Sequence, residues 1–401
     1  MNNLFSLLDD FYPNMVETRR FLHQHPELSF QEVETARYIQ NFYEKLGVPY
    51  KANIGGNGVV ATIVGNGPGR TIALRADFDA LPIQDEKNVP YASKVKGVMH
   101  ACGHDGHTAT LLYLAKAFYE TRNNWTGKIV LIHQHAEEYA PGGAKSMIEA
   151  GCLDGVDEIY GTHLWALNET GSIGYRSGPV MAAADRFSIT IQGKGGHGAA
   201  PHNSKDSIII GSQIAIALQQ IVSRRINPID TAVVSIGSFE AKNAFNVIAD
   251  KATLIGTVRT FKKDVQEKIK IEMERMIKGI CDANDVTYLF EYDEGYPAVV
   301  NHESETALLV HCAKEIQEVQ TVSEIEPSMG GEDFAYYLEK VPGTFFFTGA
   351  KSPDTETPYP HHHPKFDFDE NAMLIAAKTL GAVTLQALNK QPATEEETVV
   401  R

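Results

Sequence analysis

Apolar positions recur at helical spacing over residues 3–24 and 30–47, which predicts two amphipathic helices separated by the His25-Pro26-Glu27 break. His23 and His25, just before the proline, read as a helix end with exposed imidazoles. Gly55-Gly56-Asn57-Gly58 then turns into an apolar strand over 59–64, and Gly65-Asn66-Gly67-Pro68-Gly69 reads as a hairpin turn into a second strand over 71–75. The pattern continues as helix 108–119, strand 128–133, helix 144–150 and strand 158–162. Past Asp185 the rhythm changes. Strand 186–191, a Gly-rich loop 193–198, helix 204–223, strands 232–239 and 252–260, helix 262–282 and strand 286–292 follow the order of a small two-layer sandwich. Helix 303–319, strand 344–348 and helix 371–388 then resume the first pattern, and the polar stretch 390–401 reads as a frayed tail. The expected organisation is one larger domain, 1–184 and 296–401, interrupted by an inserted domain, 185–295.

Composition changes this picture only by exclusion. The chain has 401 residues, 43% hydrophobic and 22% charged, enough to bury the cores of two domains. Lys and Arg number 36 against 51 Asp and Glu, a net charge of -15 with no basic stretch, so neither nucleic acid nor an anionic membrane is an expected partner. No secretory signal is read at residues 1–15, and no segment reads as a membrane span of about 20 apolar residues. The four cysteines, Cys102, Cys152, Cys281 and Cys312, are scattered without a paired spacing. That suits a reducing cytoplasm.

Candidate chemistry concentrates at predicted strand ends. Cys102-Gly103-His104-Asp105-Gly106-His107 puts a thiol, a carboxylate and two imidazoles where an apolar helix begins. An apolar core would have to satisfy each side chain separately, whereas one divalent ion would satisfy several at once. Asp77 and Asp79 alternate across the end of the second strand, and Asp79 is expected to orient a metal-bound His. Glu137 and Glu138 follow the 128–133 strand, and adjacent acids allow one to ligate while the other moves a proton. His163 follows the 158–162 strand, and His197 lies in the loop of Gly193, Gly195, Gly196 and Gly198, where unusual backbone angles are expected to present it outward. Neither early glycine cluster is followed by Gly-Lys-Ser/Thr, so no phosphate loop is supported.

These residues carry a family resemblance across nearly the whole length. The motifs are Arg75-Ala-Asp-Phe-Asp-Ala-Leu-Pro82, Cys102-Gly-His-Asp-Gly-His107, Glu137-Glu138, Gly195-Gly-His-Gly-Ala-Ala-Pro201, Gly256-Thr-Val-Arg259, Gly330-Gly-Glu-Asp-Phe334 and His362-His-Pro364. Together they resemble, in order, the dinuclear-metal amidohydrolases grouped with aminoacylases, hippurate hydrolases, N-acetyldiaminopimelate deacetylases and indoleacetyl-amino acid hydrolases. The resemblance implies an α/β fold: a metallopeptidase-like catalytic domain with a mixed sheet flanked by helices, plus an inserted two-layer α/β lid and dimerisation domain. It implies two divalent metal ions per chain, with Cys102 bridging them and His104, Glu138, His163 and His362 completing the set. Manganese is favoured by resemblance, zinc is next on the softness of the thiolate, and cobalt or nickel also fit such mixed donors. It further implies Glu137 as general base and His197 as a substrate-contacting, catalytic residue reaching a neighbouring subunit's site in a homodimer or homotetramer. Arg259 and Asn246 are candidates for the substrate's carboxylate, which a fixed guanidinium recognises in a bidentate way, against the competing readings of a lid-domain ion pair and a turn residue; Gly331 is a further substrate-binding candidate. Asp77 stands where the wider superfamily has a His.

The expected reaction is hydrolysis of the amide of an N-acyl amino acid, N-acetyl or N-aroyl. Two other classes compete. A metallo-dipeptidase or aminopeptidase would share the chemistry but recognise a free α-amine, and a non-catalytic metal-binding protein would have no need of Glu137 beside Glu138.

Overall fold

The computed structural model describes residues 1–352 and 358–390. The predicted tail from 391 onward lies outside the described residues, whereas Lys390 bonds Glu158 and Glu305. By contacts the chain divides into two compact units, one of Met1–Val180, Val299–Glu326 and Asp333 onward, the other of Met181–Ala298 and Pro327–Glu332.

The larger unit is built on an eight-stranded mixed sheet. Its strands run in the order Tyr50–Ile54, Gly58–Val64, Lys128–Gln134, Thr71–Asp77, Glu158–Glu169, Gly343–Lys351, Ser172–Tyr175, Thr321–Glu324. The expected hairpin at Gly65 to Gly69 is not formed. Lys128–Gln134 lies between the two strands that flank it, antiparallel to Gly58–Val64 and parallel to Thr71–Asp77. Thr71–Asp77 is nearly all buried and has parallel partners on both sides, which is how a near-continuous apolar run is used in a sheet covered on both faces. Glu158–Glu169 also outruns its expected end, because parallel pairing with Gly343–Lys351 continues past Phe347 opposite His163. His163 therefore sits inside a strand and not at its end. The expected 303–319 helix stops at Lys314, and Ile316 packs into the core from the turn that leads to Thr321–Glu324.

Helices Asn2–Gln24, His104–Glu120 and Asn371–Leu388 pack against one another and the sheet. Asn371–Leu388 has the length and apolarity of a membrane span, yet 78% of it is buried in this unit. The expected exposed helix end at His23 and His25 is half wrong. His25 is exposed, but His23 is fully buried, with Nδ1 2.7 Å from Asp105 and Nε2 3.2 Å from Asp85.

In the smaller unit four antiparallel strands run in the order Ala232–Glu240, Lys251–Thr260, Ala183–Gln192, Thr287–Tyr296. Helices Ser207–Arg224 and Lys263–Ala283 bury Ile214, Leu218, Ile269 and Met273 against Phe187 and Leu254. The Asp206 side chain caps the first of these helices by accepting from Ile208 N. A two-stranded arm, Gly196–His197 paired with Val247–Ile248, extends from this unit.

Candidate metal centre

The site starts where Thr71–Asp77 ends and helix His104–Glu120 begins. Gly103, at φ +97°, turns the chain so that His104 opens the helix, and His104, His107 and Thr108 fall on one face at i, i+3, i+4. That face is stitched to the strand end. Thr108 Oγ1 donates to Asp77 O at 2.7 Å, His107 Nδ1 lies 2.6 Å from Asp77 Oδ1, and His104 Nδ1 lies 3.1 Å from Asp79 Oδ1.

The hydrogen bonds decide which ring nitrogens remain for a ligand. His104 Nδ1 faces Asp79 through both its carboxylate and its carbonyl, so that nitrogen keeps a proton and Nε2 is the one that can give up its own to offer a lone pair to a cation. His104 Nε2 and Glu138 Oε1 lie 3.8 Å apart, and both are buried without a hydrogen-bond partner. His362 Nε2 approaches Glu138 Oε2 at 3.4 Å. On the other side of Cys102, His163 Nδ1 donates to Leu164 O at 2.8 Å, leaving Nε2 3.4 Å from Sγ. Two converging groups result, Cys102 with His104 and Glu138, and Cys102 with His163 and His361, and Cys102 belongs to both. Orphaned lone pairs around a shared sulfur are a donor set that fits two cations.

Asp77, His104 and His107 also converge. Yet both His107 nitrogens are engaged, because Nε2 accepts from Leu164 N at 3.0 Å. His107 thus braces the helix start against the strand. Asp77 is held by Arg75, whose guanidinium also reaches Gln134 at 2.8 Å and Asp333 at 2.9 Å.

Electrostatics separate the donors. Against the cost of burial, the Asp77 and Asp79 carboxylates raise His104 to about 10. Burial, then the neighbouring imidazoles of His107 and His361, hold His163 well below the usual histidine range. Burial and the Glu138 and Glu137 carboxylates push the Cys102 thiol far up. A site this negative is complementary to a cation.

Residues 73–386 match Peptidase family M20/M25/M40. The chain belongs to that family. It is a hydrolase, an amidohydrolase within it. It is 60% identical over 378 residues, 94% of this chain and 96% of that one, to a Bacillus subtilis (strain 168) protein bearing the name amidohydrolase YhaA. It is 48% identical over 297 residues, 74% of this chain and 80% of that one, to an N-acyl-L-amino acid amidohydrolase of Geobacillus stearothermophilus. A Bacillus subtilis crystal structure described as a dinuclear metal binding peptidase from the M20 family superposes with a TM-score of 0.83 at 38% identity, covering 96% of this chain and 100% of that one.

The remaining residues singled out in this M20 sequence lie on the smaller unit, apart from Glu137. Glu137 is buried beside Glu138. His197 and Asn246 are exposed neighbours on the two-stranded arm, joined by the bond from Gly198 N to Asn246 O at 2.8 Å. None of the four glycines around His197 has a left-handed φ, contrary to expectation. Close approach is the reason for glycine at Gly196, where a Cβ would come within 2.1 Å of Ser204 Oγ. His197 Nδ1 accepts from Ala199 N, so its proton sits on Nε2. Arg259 is half-buried and donates to Thr257 Oγ1 and Val258 O, forming no ion pair among the described residues, although the Asp185 carboxylate is near enough to act on its charge. Gly331 sits where a Cβ would approach Ala184 Cβ to 2.9 Å. Sequence reading placed His107 in the cluster that a divalent ion would satisfy but gave it no role of its own, and gave none to His361. His361 was hidden by two further histidines, and His107 has the i+3 spacing from His104 that could have marked it.

Proposed function

We propose that this chain hydrolyses N-acyl amino acids to a carboxylic acid and a free amino acid, using two divalent cations held by Cys102, His104, Glu138, His163 and His362. The observation that carries the reading is Cys102 shared between two converging donor groups, with Glu137 beside the ligand Glu138 but in neither group. Bound cations would polarise the amide carbonyl and acidify a water. Glu137 takes up the proton of the attacking water and returns it to the departing amine. His197, protonated on Nε2, can donate to the developing oxyanion, and Arg259, in no ion pair among the described residues, suits the carboxylate of the amino acid. Asn246 and the Gly331 backbone complete substrate binding, and Asp79 orients His104. We favour manganese, then zinc. Four unpaired thiols suit a cytoplasmic location.

Metal-reconstituted protein is expected to cleave N-acetyl-methionine or hippurate and to leave an unblocked dipeptide largely intact. The reverse preference would make it a dipeptidase, and no cleavage of either would remove this substrate class.

On this reading His197 acts at the site of a second copy, which would make the active unit at least a dimer. Mixing an inactive His197→Ala chain with an inactive Glu137→Gln chain should then restore part of the activity, because one composite site is intact. A mixture that stays dead after proven subunit exchange returns His197 to its own chain.

A further inference from the structure

Glu32 is a carboxylate with no exposed surface, in a loop that neither the ligand set nor the base involves. It stands at the N-cap of helix Val33–Leu46, where an acidic side chain ordinarily accepts from the first free helix N–H groups. Here it does not. Glu27 has taken those donors, accepting from Glu34 N at 3.2 Å and Thr35 N at 2.7 Å. The Glu32 carboxylate instead leaves its own helix. It accepts from Ala136 N at 2.8 Å through Oε1 and from Asn57 Nδ2 at 3.0 Å through Oε2.

Ala136 is the residue before Glu137, and its φ is +52°, a left-handed backbone that a residue with a Cβ adopts only at a cost. Its carbonyl accepts from Gly143 N at 3.0 Å, so both of its polar backbone groups are tied. Two residues on, Glu138 N donates to Asp79 Oδ2 at 3.0 Å. Glu137 is therefore carried between two peptide groups, each held by a buried carboxylate. One of these, Asp79, also faces the imidazole of His104. The other has no contact with a proposed ligand. The segment that bears Glu32 is itself braced on the site, since Ser29 Oγ donates to Asp79 Oδ2 at 2.7 Å.

We propose that Glu32 is a positioning residue: it holds Ala136 in the left-handed turn and thereby aims Glu137 as base and Glu138 as ligand. This rests on the roles given to those two residues above. A buried carboxylate spent on one strained peptide is otherwise a net burden to the fold, because its desolvation is opposed only by neutral donors, Ala136 N, Asn57 Nδ2 and its own backbone N–H. Displacements of about 1 Å at reacting groups cost roughly a hundredfold in rate, so a turn that fixes base and ligand together merits such a residue.

The test uses four metal-reconstituted full-length variants, Glu32→Gln, Glu32→Met, Ala136→Gly, and Glu32→Met combined with Ala136→Gly. Glu32→Gln keeps an acceptor oxygen and should hold kcat within about threefold of wild type. Glu32→Met keeps the volume but cannot accept, and should lower kcat by about 10- to 100-fold, the range seen when support of a metal site is removed, with KM nearly unchanged. Chelator competition with Mn2+ should show weaker binding in the same variant. Adding Ala136→Gly should recover most of both losses, because glycine takes φ +52° without the steric cost. The proposal is overturned if Glu32→Met turns over and binds Mn2+ like wild type, if the added glycine recovers neither, or if neither Met-containing variant folds, which would make Glu32 a stability residue. Should wild type cleave no N-acyl amino acid, the substrate reading fails, while Mn2+ competition still ranks the four variants and tests the positioning by itself.

Discussion

Glu137→Gln is expected to cut turnover by roughly 10² to 10⁴-fold while the protein keeps its metal, the loss typical of removing a general base. The expectation comes from the division between two adjacent carboxylates. Glu138 is committed to the donor cluster, with its oxygens 3.8 Å from His104 Nε2 and 3.4 Å from His362 Nε2. Glu137 is buried next to it and belongs to neither Cys102-centred group. Gln preserves the shape and the hydrogen-bonding oxygen, so the change removes proton affinity and little else. Glu138→Gln should behave differently, losing metal first and activity as a consequence. Steady-state rates with elemental analysis on the same samples separate the two outcomes. Turnover near wild type with full metal in Glu137→Gln would move the base elsewhere.

The location of this site was legible because its residues come in short local runs. Asp77 ends a strand with Asp79 two residues on, and Cys102 and His104 flank a glycine at a helix start, so proximity within each run follows from short spacing. Which run meets which does not follow from local spacing and came only from the resemblance, and the hairpin expected at Gly65 to Gly69 shows why. A local turn signal cannot report that a strand from sixty residues further on inserts between its arms. The histidine run shows a second limit. His361 and His362 are neighbours in sequence, but His361 Nδ1 faces Cys102 at 3.8 Å and His362 faces Glu138, a split set by a left-handed φ of +65° at His362 that composition does not reveal. Charged residues in the first helix were the least legible. Leu4, Leu8, Met15 and Leu22 mark its buried stripe, and Arg19 and His23 continue it, yet charges at helix ends are by default assigned to solvent. Their position on the stripe was the available signal.

That buried arginine carries the largest stability effect we expect. Arg19 has no exposed surface and bonds three carboxylates, Asp105 at 2.9 Å, Asp367 at 2.7 Å and Glu370 at 3.2 Å. Glu370 keeps Arg20 as a partner and Asp367 is partly exposed, but Asp105 is wholly buried, and without Arg19 it retains, among the described residues, only His23 as a side-chain hydrogen-bond partner. Despite the cost of burial, Arg19 and His23 hold the Asp105 carboxyl well below the usual range. Arg19→Met should therefore destabilise the larger unit by about 3–5 kcal/mol at neutral pH, the penalty of leaving a buried charge without its partner. Both tryptophans, Trp125 and Trp165, lie in that unit, so the fluorescence midpoint in urea reports it. The sign of the pH dependence follows from the depressed pKa. Stability from the Arg19–Asp105 pair is present in full above the unfolded aspartate value near 3.9 and is lost as pH falls toward the folded one. The gap between wild type and variant should thus be widest at neutral pH and narrow once pH drops below about 4. Adding Asp105→Asn to Arg19→Met should return part of the loss, because the orphaned charge is then gone. A neutral-pH difference under about 1 kcal/mol, or one that does not narrow in acid, would mean that Asp105 finds another partner and that the helix start bearing His104 is not anchored through Arg19.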